Sequence, residues 1–170
     1  MRVEGEPIKK HGSVPDRQGK YLTFVLDKEE YGISILAVRE IIGILPITTV
    51  PQTPPFVKGV INLRGKVIPI MDLRAKFGLA PIEYTEKTSI IVVDVSGASD
   101  KIQIGVVVDH VSEVVNIRGE DVEDTPSFGA RLDTAYILGM AKIGKGVKIL
   151  LDIDRVLRGD EMSLMEGMNN

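Results

Sequence analysis

The sequence predicts a mainly β protein built from two small β-barrels that are related by an internal duplication. Three observations support this fold class. Val and Ile are abundant while aromatic residues make up only 5% of the chain, which favours strands over helices. Alternating apolar runs are separated by short turns, which is typical of β-hairpins. The order of hairpins and capped helices in the first half recurs in the second half.

The first half begins with residues 1–19, which contain too few apolar groups to repay ordering and are predicted to form a flexible tail. Alternation predicts strands over residues 21–26 and 31–35, joined by a polar turn. Residues 36–42 fit either a helical turn or an irregular strand edge. A short strand is expected over residues 47–50.

A glycine-containing hairpin follows at residues 59–71. Its turn contains Arg64 and Gly65, and Gly65 can adopt a positive φ without steric cost. The arginine is therefore expected to project from a tight turn, away from the core. Asp72 is predicted to cap a short helix over residues 73–77.

The second half is predicted to repeat this arrangement after a polar connector. Its strands are expected at residues 89–95, 102–108, 135–143 and 147–151, and residues 111–117 are apolar with a polar interruption. Residues 118–134 are predicted to be a polar loop with a partial helix near its start. Asp152 or Asp154 should cap a last helix through Leu157. Residues 159–170 are expected to form a tail or a fraying helix.

The internal repeat has two parts. Residues 31–42 can be laid over residues 104–115, with apolar positions matching nearly throughout. At a slightly longer offset, the hairpin at 59–71 lies over residues 139–151, and an aspartate follows the hairpin in both halves. Two halves that are rich in short strands suggest two small barrels rather than one sandwich.

The repeat predicts one domain over residues 20–158, with pseudo-repeats at about 20–86 and 87–158. Each half would be marginally stable alone, so a shared core is expected, and strands can be exchanged between the halves. Arg64 has no counterpart, because the second-half turn carries Gly144 at this place. A structural requirement common to both barrels therefore does not explain the arginine.

Composition and charge argue against several classes of function. The chain has no cysteine, which excludes disulfides and thiolate metal sites. Its net charge of −3 and its few aromatic residues argue against a nucleic-acid binder, which needs a basic groove and stacking platforms. No stretch approaches the ~18 uninterrupted apolar residues of a membrane span, and Met1 to Lys20 lacks an apolar signal region. We therefore expect a cytoplasmic protein without direct membrane insertion.

Candidate catalytic groups are sparse. Asp109 and His110 could form an acid–base pair, but they are expected in an exposed turn without a nucleophile or a metal set nearby. Asp152 and Asp154 could suggest a metal pair, but an aspartate before a short helix is more often a cap. We expect no enzymatic activity, no cofactor and no metal.

Four motifs occur together in the order and spacing of a known family: Glu30-Tyr31-Gly32-Ile33, Gly59-Val60-Ile61-Asn62-Leu63-Arg64-Gly65, Val67-Ile68-Pro69-Ile70-Met71-Asp72-Leu73 and Gly105-Val106-Val107-Val108-Asp109. With them the chain resembles the bacterial chemotaxis adaptor family CheW over roughly residues 20–157. The resemblance implies two intertwined five-stranded barrels of the SH3-like or OB-like type. It also implies a non-enzymatic scaffold that couples methyl-accepting chemoreceptors to the histidine kinase CheA and is recruited to receptor clusters at the membrane.

The resemblance further implies where the partners bind. The receptor tip, an α-helical hairpin, would lie in an apolar groove. The matching groove positions are Leu22, Ile35, Val38 and Ile41, with Arg64 beside them. The regulatory domain of the kinase has the same fold and would meet the strand that contains Ile47 and Val50. The coupling turn would comprise Gly59, Asn62, Arg64 and Gly65.

Two alternatives stay open from the sequence. Ile35, Val38 and Ile41 could be ordinary core residues, which is the more common position of such side chains. The chain could also be a small-molecule-binding double β-barrel with its ligand in the groove between the barrels. Exposure of these apolar residues distinguishes groove positions from core positions. Partner binding distinguishes a scaffold from a small-molecule-binding protein.

Overall fold

Short strands joined by tight turns make up most of the computed structural model, which describes residues 17–96, 100–126 and 135–157. The strands of the first half are β1 (Gly19–Leu26), β2 (Glu29–Ser34), β3 (Val38–Gly43), β4 (Val57–Leu63) and β5 (Lys66–Asp72). Those of the second half are β6 (Ser89–Ser96), β7 (Lys101–Val108), β8 (His110–Ile117), β9 (Val122–Glu123), β10 (Ile137–Ile143) and β11 (Gly146–Leu151). The helices are α1 (Leu73–Lys76) and α2 (Ile153–Val156), with 3-10 turns at Ile35–Ala37 and Gly119–Asp121.

The strands form two sheets, and each sheet contains strands from both halves of the chain. The order is β8-β1-β2-β11-β10-β9 in one sheet and β3-β6-β7-β5-β4 in the other. Two pairs are parallel, β2 with β11 and β5 with β7, and every other pair is antiparallel. The predicted mainly β fold is confirmed, and the halves are intertwined. The sixth strand of the larger sheet is the two-residue β9.

The largest core cluster joins the two sheets. Leu22 and Phe24 of β1 lie in the same cluster as Ile91 of β6 and Leu151 of β11, and all four side chains are buried. Burying a side chain of this size contributes about 1.5–3 kcal/mol. Because residues from both halves fill one core, neither half could bury its apolar face alone. The division into pseudo-repeats at 20–86 and 87–158 stays a prediction about the sequence.

Both helices begin where the sequence predicts, at an aspartate that directly follows a hairpin. Asp72 accepts a hydrogen bond from Ala75 N at 3.3 Å, and Asp152 accepts one from Asp154 N at 3.1 Å. Each side chain thereby satisfies a backbone N–H of the first helical turn. Asp154 is therefore not the cap. Tyr84 donates to the second carboxylate oxygen of Asp72 at 2.7 Å, and burial together with this bond raises the pKa of the tyrosine hydroxyl.

The predicted strand at residues 47–50 is wrong: only Thr48 pairs, through an isolated bridge to Val60 of β4. The pairing is close because Gly59, at φ +137°, has no side chain. A Cβ at Gly59 would lie 2.0 Å from Thr48 O. Gly139 of β10 has the corresponding place, where a Cβ would lie 2.9 Å from Glu123 O in β9. Both glycines also follow a register shift in their strand.

The expected turn at Asp109 is present as the bend between β7 and β8, but the expectation that it is exposed is wrong. His110 is the first residue of β8, and the carboxylate of Asp109 is largely buried against Arg74 of α1. Arg74 Nη1 lies 2.7 Å from Asp109 Oδ2, its Nη2 lies 3.3 Å from Asp27 Oδ1, and its Nε donates to Ala80 O at 2.9 Å. This buried guanidinium holds α1 against the turns that follow β1 and β7.

Several predicted segments fall partly or wholly outside the described residues. Of the predicted tail at 1–19, the structure describes residues 17–19, and β1 already begins at Gly19. The predicted loop at 118–134 contains a 3-10 turn and β9, and residues 127–134 lie outside the description. The C-terminal segment at 159–170 also lies outside it. Within the described ranges, no helix is long and apolar enough to cross a membrane.

Gly59→Ala should destabilise the protein by about 3 kcal/mol or more, because the new methyl group meets the Thr48 carbonyl and the backbone keeps a positive φ. Urea unfolding measures the change. Gly43→Ala is the matched control, since a Cβ there meets nothing within 4 Å. Equal stabilities of the two variants would contradict the structural role of Gly59.

Candidate functional site

The turn between β4 and β5 presents Arg64 to solvent. Both central residues have positive φ, 52° at Arg64 and 88° at Gly65, as in a type I′ hairpin turn. The side chain of Asn62 stabilises the turn by accepting a hydrogen bond from Gly65 N at 2.8 Å. Asn62 is therefore a turn-forming residue, and Arg64 is the residue that the turn displays.

The guanidinium of Arg64 forms an ion pair with Glu40 of β3. β3 and β4 are the two edge strands of the five-stranded sheet, so this pair links the two edges of that sheet. The side chain of Arg64 is 68% exposed, which leaves most of its donors available to a partner. An ion pair this exposed contributes at most about 1 kcal/mol to folding.

Arg64 is in a backbone conformation that an arginine adopts reluctantly. The left-handed region costs a non-glycine residue about 1–2 kcal/mol. In the second hairpin, Gly144 has the corresponding place with φ 59° and avoids this cost. Lys145 follows it without a positive φ, so that turn has the φ pattern of type II′. The repeat thus shows that the arginine is present against the local backbone preference.

The predicted groove residues divide into three groups. Leu22 is 2% exposed and lies in the largest core cluster, so its side chain does not line an exposed surface. Ile35 and Val38 are half-buried and pack against that cluster. Ile41 is 44% exposed on β3, beside Glu40. The apolar edge available to a partner therefore centres on β3 and not on β1.

Sequence reasoning missed the most exposed apolar residue of this region. Leu36 is 92% exposed on the 3-10 turn between β2 and β3, and its N–H donates to Ser34 Oγ at 3.2 Å. Val67 of β5, opposite Asn62, is also an exposed apolar residue that was missed.

The predicted kinase-facing residues lie on the segment attached to β4. Ile47 is half-buried and packs against the smaller core cluster that contains Ile61 and Ile68. Val50 is half-buried, and its carbonyl accepts a hydrogen bond from Thr53 Oγ1 at 3.1 Å. Both side chains therefore keep part of their apolar surface accessible.

Gly59 does not belong to the coupling turn. It is buried inside β4, opposite Ile70, and its close approach to Thr48 explains why glycine is needed there. The remaining predicted turn residues, Asn62, Arg64 and Gly65, do lie together. In the described ranges, no group of three or more His, Asp or Glu side chains is arranged to hold a metal ion.

The chain is similar in sequence to known proteins over most of its length. A family model described as the CheW-like domain matches residues 20–161. The "Chemotaxis protein CheW" of Klebsiella aerogenes is 40% identical over 149 residues, which cover 88% of this chain and 87% of that protein. The protein of the same name from Rhizobium meliloti is 34% identical over 140 residues, covering 82% of this chain and 88% of that protein.

A solved structure is similar in fold as well as in sequence. The crystal structure of the scaffolding protein TtCheW from Thermoanaerobacter tengcongensis matches with a TM-score of 0.74 and 33% identity. The match covers 85% of this chain and 95% of that chain. The small-molecule alternative gains no support from these relatives.

Arg64→Asn should be more stable than Arg64→Ala by about 0.5–1 kcal/mol, because asparagine tolerates a positive φ and favours a type I′ turn before glycine. Both variants lose the ion pair to Glu40, so their difference isolates the backbone cost. Urea unfolding of the two variants measures it. An alanine variant as stable as the asparagine variant would show that position 64 carries no such strain.

Proposed function

The chain belongs to the family of CheW-like domains, and we propose that it is a chemotaxis scaffold that couples methyl-accepting chemoreceptors to the histidine kinase CheA. The sequence relatives and the solved scaffolding protein support the chemotaxis assignment. On this proposal the protein acts without catalysis, by holding two partners in one complex. It would work in the cytoplasm and be recruited to receptor clusters at the membrane.

The observation that carries the proposal is the position of the β4–β5 hairpin between two candidate partner surfaces. At one end, Arg64 is paired with Glu40 of β3. Four residues earlier, Val60 exchanges two hydrogen bonds with Thr48, at 2.8 and 2.9 Å, on the segment that carries Ile47 and Val50. One rigid hairpin therefore contacts both the apolar edge on β3 and the candidate kinase-facing segment.

The receptor would bind along β3 in the helix-in-groove mode. Ile41 offers an exposed apolar contact, and Ile35 and Val38 offer half-buried ones. Arg64 borders this edge through Glu40, where a partly desolvated arginine can form a strong contact with a partner. Leu22 supports the groove from the core and makes no direct contact in this proposal.

The kinase would bind at the segment around Ile47 and Val50. The regulatory domain of the kinase, which resembles this fold, would pack its own barrel against the exposed parts of these side chains. Thr48 fixes the segment to β4, so a kinase bound there is held by the same hairpin that carries Arg64. Receptor state would then reach the kinase through that hairpin.

Mixing the purified protein with a receptor cytoplasmic fragment and CheA should give a ternary complex on size-exclusion chromatography. It should also give kinase activation that depends on the receptor, measured as CheA autophosphorylation. Each pairwise mixture is the control. A protein that binds neither partner, and leaves kinase activity unchanged, would refute the scaffold assignment.

Arg64→Ala should reduce receptor-dependent kinase activation by about tenfold or more while the variant stays folded, since loss of a desolvated interface arginine costs ~2 kcal/mol. Arg118→Ala is the control. Arg118 is a similarly exposed arginine that is paired with Glu120 and Asp121, and it follows β8 of the other sheet. Autophosphorylation assays with receptor and kinase compare the two. Normal coupling by a folded Arg64→Ala protein would remove Arg64 from the proposed mechanism.

A further inference from the structure

Leu36 borders a cavity that the proposed receptor groove does not include. The cavity has a volume of about 300 Å³ and lies between the first 3-10 turn, α2 and the strands beside it. Four other apolar residues line it: Ala37, Leu138, Leu151 and Ile153. A lone exposed leucine is common on protein surfaces, but one beside an open cavity with an apolar wall provides a place for a partner side chain.

The polar part of the cavity wall is mainly acidic. Asp94, Asp152 and Asp154 line it together with one cation, Lys101. Asp94 is paired with Arg39 and Asp152 with Arg155, both of which are exposed arginines. Among the described residues, the carboxylate of Asp154 has only neutral donors, Ser96 N at 3.1 Å and Ser96 Oγ at 3.5 Å.

The internal repeat places a corresponding space beside α1, and there it is filled. Asp154 lies over Arg74 in the repeat, and Leu36 lies over Asp109. Beside α1 the guanidinium of Arg74, from the first half, is buried against Asp109, from the second half, at 2.7 Å. Beside α2 the corresponding pair is Asp154, from the second half, and Leu36, from the first half, and the space is a cavity. The chain thus contains a filled version of this space, with an arginine in it, and an open version.

We propose that the open cavity receives an arginine or lysine side chain from the receptor's helical tip, with a neighbouring apolar residue of that helix packed on Leu36. The aliphatic stem of such a side chain matches the wall formed by Leu138, Leu151 and Ile153, and its charged end meets Asp154. The exposed Leu36 lies on the 3-10 turn that leads directly into β3, which carries the exposed Ile41, and on this proposal the receptor helix contacts both residues. This inference rests on the proposed receptor-coupling function.

Titration of a receptor cytoplasmic fragment into the protein tests the proposal, because two charge-removing variants should change the binding affinity in opposite directions. Asp154→Asn, which keeps an acceptor for Ser96 N, should weaken binding by about two- to fivefold, and Lys101→Gln should strengthen it. Leu36→Ala should weaken binding by about tenfold, and its exposed position leaves folding unaffected. Glu83→Gln, an exposed carboxylate on the connector between α1 and β6, is the control and should bind as the unaltered protein does.

Raising the salt concentration should reduce the affinity of the unaltered protein more than that of Asp154→Asn, because the unaltered protein has one more charge contact for salt to screen. Thermal unfolding of each variant shows that it is folded. If the unaltered protein fails to bind the receptor fragment, receptor coupling itself is refuted, and this inference with it. If it binds while Leu36→Ala and Asp154→Asn bind equally well, only the docking position is refuted.

Discussion

The two parallel strand pairs are the interactions on which the rest of the arrangement depends. β2 pairs with β11 and β5 with β7, so each pair joins a hairpin of one half to a hairpin of the other. Parallel neighbours cannot be connected by a tight turn, and the chain must leave the sheet before it returns. With these pairs in place, β3 and β8 each lie beside a strand of the opposite half. Neither sheet is complete without both halves, which is why the core is shared.

Features that depend on a few neighbouring residues could be predicted from the sequence, and those that depend on distant contacts could not. The aspartate caps and the hairpin turns follow from local chemistry. The prediction of a strand at residues 47–50 was wrong because pairing there depends on a distant residue. Gly59, which has no side chain, lets the backbone approach at Thr48, and only Thr48 pairs. Alternation also could not show that Leu22 faces the core while Leu36 faces solvent, because four consecutive residues of β1 are buried and Leu36 lies on a 3-10 turn where a period of two does not apply.

At position 64, the backbone cost of an arginine can be compared with the stability that its side chain contributes. A two-residue hairpin turn of this kind requires a positive φ at its first central residue, and Gly144 meets that requirement without cost. An arginine there costs about 1–2 kcal/mol, while its exposed ion pair with Glu40 returns about 1 kcal/mol at most. Folding of the isolated chain therefore gains nothing from this arginine. The local backbone and the ion pair with Glu40 therefore do not explain why this position is an arginine.

A comparison of the Arg64–Glu40 ion pair with the strand pairing around it indicates which contact a partner could change. The β4–β5 hairpin is bonded along its length, and β5 is also paired with β7, so the hairpin cannot shift without disturbing both halves. The exposed ion pair between Arg64 and Glu40 is much weaker than those ladders. On the proposed function, a receptor helix bound along β3 would lie beside Glu40 and Arg64. A partner can therefore rearrange this ion pair at a lower free-energy cost than it can move the hairpin that carries Arg64.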